Sequence, residues 1–98
     1  MMYLVHLTLV PPGASAVLPP GLRSDLYRNA VPDLLDHVSV HPSAEPYPVV
    51  GLYLRIGSLE EAESAARDIW NTVSERTALA GWRLYRAEVP LLPPGPED

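Results

Sequence analysis

The sequence predicts an α+β fold, with a four-stranded antiparallel sheet in the order 4-1-3-2 and two helices on one of its faces. Three observations predict it. Four short runs, 3–10, 34–41, 49–56 and 82–90, are rich in β-branched and aromatic residues and are bounded by proline or glycine. Two segments, about 21–30 and 58–77, repeat their apolar residues at helical spacing. The elements therefore run β-α-β-β-α-β, and right-handed crossovers bring the strands into that sheet order.

The first strand, "YLVHLTLV", stops at Pro11-Pro12-Gly13. Its alternation puts Tyr3, Val5, Leu7 and Leu9 on one face and Leu4, His6, Thr8 and Val10 on the other. The uniformly apolar set is expected inside. The loop "PPGASAVLPPG" follows, then a short helix whose Leu22, Leu26 and Ala30 share a side, with Pro32 as its stop. The second strand, "LLDHVSVH", ends at Pro42, and "PSAEPYP" turns the chain into the third, "VVGLYLRI". Ser58 with Glu61 three residues later forms a capping box for the long helix. Along that helix Ala62, Ala66, Ile69, Trp70 and Val73 form the inner side, and acidic residues crowd the N-terminal half, where the helix dipole favours them. Gly81 precedes the fourth strand, "WRLYRAEVP". Residues 1–90 are expected to form one domain, and residues 91–98, "LLPPGPED", a mobile proline-rich tail.

Bulk composition narrows the function classes. At 98 residues, with 47% apolar and 19% charged residues, the chain suits one globular domain. A net charge of −5 argues against duplex nucleic acid and anionic membranes as partners. The absence of cysteine excludes disulfides, thiolate catalysis and cysteine-held metals. No apolar run reaches the roughly 18 residues of a membrane span. The start, "MMYLVHLTLV", lacks the basic region of a signal peptide, so a cytoplasmic location is expected. All seven basic residues are arginine, a usage expected of a GC-rich bacterial genome.

The stretch "DHVSVH" poses the main chemical question, because His37 and His41 stand four residues apart. On a helix they would be neighbours able to share a metal ion. Two valines alternating with polar residues, closed by a proline, indicate a strand instead. There the two rings stand about 13 Å apart at roughly 3.3 Å per residue, far beyond one ion's reach. No metal site and no cofactor are expected.

Alternation then assigns an open sheet face. Val38 and Val40 point to the helices, and Leu35, His37, Ser39 and His41 point away. In the third strand Val50, Leu52, Leu54 and Ile56 point in, and Val49, Gly51, Tyr53 and Arg55 out. In the fourth, Tyr85, Ala87 and Val89 are the expected inner set, with Trp82, Leu84, Arg86 and Glu88 outside. The candidate ligand or interface face is therefore His6, His37, Tyr53, Arg55, Trp82, Leu84, Arg86 and Glu88. Aromatic, arginine and apolar groups mixed in this way are typical of a surface that meets another protein. A second copy of the chain is the simplest cover, so a homodimer is expected. His6 could act as a general base, His37 with Tyr53 as an acid/base couple, and Arg55 with Arg86 as an anion clamp. Packing pairs and an Arg86–Glu88 ion pair are the alternatives. No phosphate loop or nucleophile-elbow pattern is present.

The element order over residues 3–90 resembles the ferredoxin-like superfold, and the mixed open face resembles the dimeric α/β-barrel group. That resemblance implies two sheets packed face to face, with small-molecule sites beside or between them. The stretches "YLVHLTLVPP" and "GWRLYRAEVPLLPP" also resemble small actinobacterial proteins. The expected function is a non-enzymatic binding or regulatory module that self-associates through its open face. The alternative is a cofactor-independent small enzyme, or a small-molecule-binding protein, of the dimeric barrel type.

Overall fold

The computed structural model describes residues 1–76, 79 and 81–90. The expected tail, 91–98, lies outside the described residues. The elements are β1 (Met2–Val10), α1 (Leu22–Asn29), β2 (Leu35–His41), β3 (Val49–Arg55), α2 (Leu59–Arg76) and β4 (Arg83–Glu88). All pairings are antiparallel, and the sheet runs β2-β3-β1-β4. Orders 2-3-1-4 and 4-1-3-2 name the same neighbours from opposite edges.

One apolar cluster holds the domain together. Val5, Leu7 and Leu9 of β1, Val38 of β2, and Val50, Leu52 and Leu54 of β3 are buried with Leu22 and Leu26 of α1 and Ala62, Ala66, Ile69, Trp70 and Val73 of α2. Full burial of each Leu or Val contributes about 1.5–3 kcal/mol before chain entropy is opposed to it. Alanines at 62 and 66 leave no bulk between helix and sheet, so the larger Ile69, Trp70 and Val73 fill the far end of the same side.

Local devices hold the helices in place. The Ser58 hydroxyl accepts the Glu61 amide at 3.1 Å and donates to Glu61 Oε1 at 3.0 Å, which fixes the start of α2. The Tyr27 hydroxyl of α1 accepts the Val38 amide at 3.1 Å, tying the helix to the edge strand. The Val89 amide donates to Glu63 Oε2 at 3.2 Å, binding the end of β4 to α2. Gly81 occupies a turn where glycine is required. Its φ is +87°, and a Cβ there would lie 2.9 Å from Pro12 Cβ.

Two bulges correct the expected strand phases. On β2, Leu35 pairs with Leu54 and His37 with Tyr53, so Asp36 is one residue too many. Leu35, expected on the open face with His37, therefore turns into the core. On β4, Leu84 pairs with Leu9 and Arg86 with Thr8, so Tyr85 is the extra residue. The phase reverses there. Trp82 and Leu84, expected on the open face, face the helices: Trp82 is buried and Leu84 half-buried against the core. Tyr85, expected inside, is exposed. Ala87 is buried as expected.

The corrected position of Trp82 sets an expectation for stability. Trp82→Ala should lower the unfolding free energy by about 3 kcal/mol in urea titration, as large-to-small core changes do. A loss under about 0.5 kcal/mol is what a surface tryptophan would show, and would overturn the assignment.

Candidate functional site

The register arranges the open face in rows across the sheet. Ser39, Gly51, His6 and Glu88 form one row; His41, Val49, Thr8 and Arg86 the next; His37, Tyr53 and Leu4 another. Gly51 lies at the centre. A Cβ there would fall 2.4 Å from Ser39 Oγ and 3.2 Å from Leu4 Cδ1, so a bare backbone is what lets these side chains converge. The result is an open groove of about 650 Å³ whose polar lining is His6, Ser39, His41, Ser43 and Tyr53.

Within the groove the ring centres of His6 and His41 are 6.2 Å apart, with planes tilted by 57°. His41 Nε2 is 3.1 Å from Ser39 Oγ. His37 packs on Tyr53 at 5.4 Å between ring centres. Burial pulls the His6 imidazole below its ordinary 6.5, the nearby His41 lowers it further, and Glu88, its Cα partner on β4, opposes both.

The face therefore divides the predicted residues. His6 and Tyr53 line the groove, and His37 borders it through Tyr53. Arg55 stands at one corner, where it pairs with the Asp36 carboxylate and donates to the Asp33 carbonyl at 3.3 Å. Asp33 holds the left-handed φ of +67° that aspartate tolerates. Arg86 stands at the opposite edge, bonded to Glu88 at 3.1 Å. Its guanidinium also lies 4.9 Å from the centre of the Tyr85 ring, which packs on Tyr47 at 5.7 Å. Two arginines so far apart, each occupied by its own acid, do not form the anion clamp. Trp82 and Leu84 take no part.

Sequence reasoning set His37 and His41 against each other and missed that His41 belongs with His6. The signal lay in the register. Once His41 faces Val49 and Val49 faces Thr8, His6 is the diagonal neighbour across the glycine. The Ser39–His41 contact is half of a nucleophilic couple. Among the described residues no carboxylate bonds the second nitrogen of His41, so the orienting member is missing. No group of three or more His, Asp or Glu side chains able to hold a metal occurs among the described residues. No described helix is long and apolar enough to cross a membrane.

No protein-family model, curated protein or solved structure matches the chain. The functional reading rests on the geometry above.

The lowered pKa of His6 has a definite sign. Between 6.5 and its folded value the unfolded chain binds more protons, so stability rises with pH in that window and falls as pH drops through it. The urea midpoint should decline on acidification from about pH 7 to about pH 5, and less steeply in His6→Gln. Identical slopes for the two proteins would remove His6 as a source of the pH dependence.

Proposed function

We propose that the chain is a small cytoplasmic, non-enzymatic binding module of ferredoxin-like architecture that self-associates through its open sheet face. The carrying observation is the composition of that face. Leu4, Val10, Val49 and Tyr53 are half-buried on it, while Arg55–Asp36 and Arg86–Glu88 are already paired at its corners. Only Arg83, at the end of β4, adds a further cation. The acids of this face, Asp36 and Glu88, are thus each matched by an arginine, and Glu45 borders it beside Thr8 and Val49, so the face carries little of the chain's net charge of −5. The expected assembly is a homodimer in which both copies use the same face.

Magnitude shapes the expectation. Four strands about 4.8 Å apart and about seven residues long give a flat footprint on the order of 400 Å². The accessible surface of side chains standing on that plane exceeds it but stays at or under the roughly 800 Å² per partner of a standard interface, so the dimer should dissociate on dilution.

A second reading is favoured by the groove itself. Its apolar floor and few convergent polar groups suit a small molecule held in one copy or between two. Native-state binding of anilinonaphthalene sulfonate, removed by Gly51→Leu, would support it. A native protein that leaves the dye dark would rule it out.

Size exclusion with light scattering over a wide concentration range tests the first reading. A dimer at high concentration is expected, with Val49→Glu remaining monomeric and folded. A wild-type monomer at every concentration would end the self-association proposal.

A further inference from the structure

We propose that His6 and His41 together form a two-imidazole site for a late first-row transition-metal ion of the copper, nickel or zinc class. The site lies within a single copy of the chain and does not depend on self-association.

Geometry carries the inference. The two residues come from strands that are not neighbours: β1 and β2 are separated by β3. A Cβ at Gly51 of β3 would fall 2.4 Å from Ser39 Oγ, the group bonded to His41, and 3.6 Å from His6 Cδ2, so the bare backbone leaves Ser39, and His41 with it, in place. Two imidazoles sharing an ion at about 2.1 Å per bond hold their ring centres roughly 5.3 Å apart at a tetrahedral angle and roughly 6.5 Å apart when opposed across the ion. The observed 6.2 Å lies toward the opposed end, a wide angle at the ion that copper(II) accepts more readily than tetrahedral zinc. His37, by contrast, lies on the far side of Ser39 and packs against Tyr53.

The surroundings favour the metal-binding form. Metal-ligating histidines commonly engage a second group through their other nitrogen, and Ser39 Oγ holds Nε2 of His41 in this way, leaving Nδ1 for the ion. His6 is half-buried, which favours the neutral, lone-pair-bearing ring. Glu88 stands opposite His6 and supplies negative charge at the rim. The nearest guanidinium on that side, Arg86, is bonded to Glu88.

Ligand type selects the ion. Imidazole suits zinc, copper and nickel, whereas calcium and magnesium need several oxygen ligands, and no carboxylate lines the groove. Two protein ligands leave the remaining positions to water or an incoming group. Such a site is open and exchangeable, unlike the four-ligand sites that hold small domains folded.

The test is calorimetric titration of tag-free protein with copper(II) and with zinc(II), in parallel on wild type, His6→Gln, His41→Ala and His37→Ala. Circular dichroism checks that each variant is folded, and His41 is exposed, so its replacement removes no core contact. Binding is expected to follow the order copper above zinc. It should weaken by at least about tenfold in His6→Gln and His41→Ala, and stay within about twofold of wild type in His37→Ala. Zinc should also shift the imidazole resonances of His6 and His41 and leave those of His37 in place. Equal affinities in all four proteins, or a loss in His37→Ala as large as in His41→Ala, would overturn the proposal, as would absence of binding by wild type.

Discussion

Everything on the open face depends on how β1 pairs with β3. The register runs without interruption from Met2 opposite Arg55 to Thr8 opposite Val49. It puts Tyr3, Val5 and Leu7 beside Leu54, Leu52 and Val50 under the helices. The same register necessarily sets His6 opposite Gly51 on the other side. A slip of one residue would carry His6 and Thr8 into the core and expel three leucine and valine side chains, at several kcal/mol in lost burial alone. The position of the histidine is therefore secured by the packing of its neighbours and not by any bond it makes.

The edge strands obey a looser rule. Each contains one extra residue, Asp36 on β2 and Tyr85 on β4, and each bulge lets the strand satisfy two demands. Before the bulge on β2, Leu35 fills the core; after it, His37 and His41 face out. On β4 and the residue before it the order of needs differs, with Trp82 and Leu84 inward first and Arg86 and Glu88 outward later. The bulged residues do work of their own: Asp36 takes up Arg55, and Tyr85 packs on Tyr47 beneath Arg86.

This difference explains what was legible in the sequence. Central strands carry their phase in plain alternation, so β1 and β3 could be assigned face by face. The long helix was equally clear, since Ser58 and Glu61 mark its start and the apolar spacing from Ala62 to Val73 marks its inner side. Alternation assumes two residues per repeat throughout a strand, and a bulge breaks that assumption silently. Counting back from Ala87 therefore turned Trp82 and Leu84 outward. The warning was the mixed character of both faces of "WRLYRAEV": no single phase could bury the tryptophan and also expose the arginines. At the site, His6, Tyr53 and His37 were visible as facing residues, but the pairing of His6 with His41 needed three strands in register, which no local pattern contains.

Gly51 shows how packing and site chemistry meet at one position. Glycine inside a strand is unfavourable by about 0.5–1 kcal/mol relative to alanine, and it contributes no cross-strand packing. Such a residue at the centre of the sheet weakens the element on which the fold relies. Yet an added methyl group would strike Ser39 Oγ, and moving that hydroxyl would release Nε2 of His41. His6 Cδ2 lies 3.6 Å from the same point, an ordinary contact, so Ser39 and not the His6 ring is what a side chain here would displace. Stability alone favours a β-branched residue here. A groove with two converging imidazoles requires its absence, and the helix-facing side of β3, with Val50 and Leu52 fully packed on either side, supplies the burial that makes the glycine tolerable.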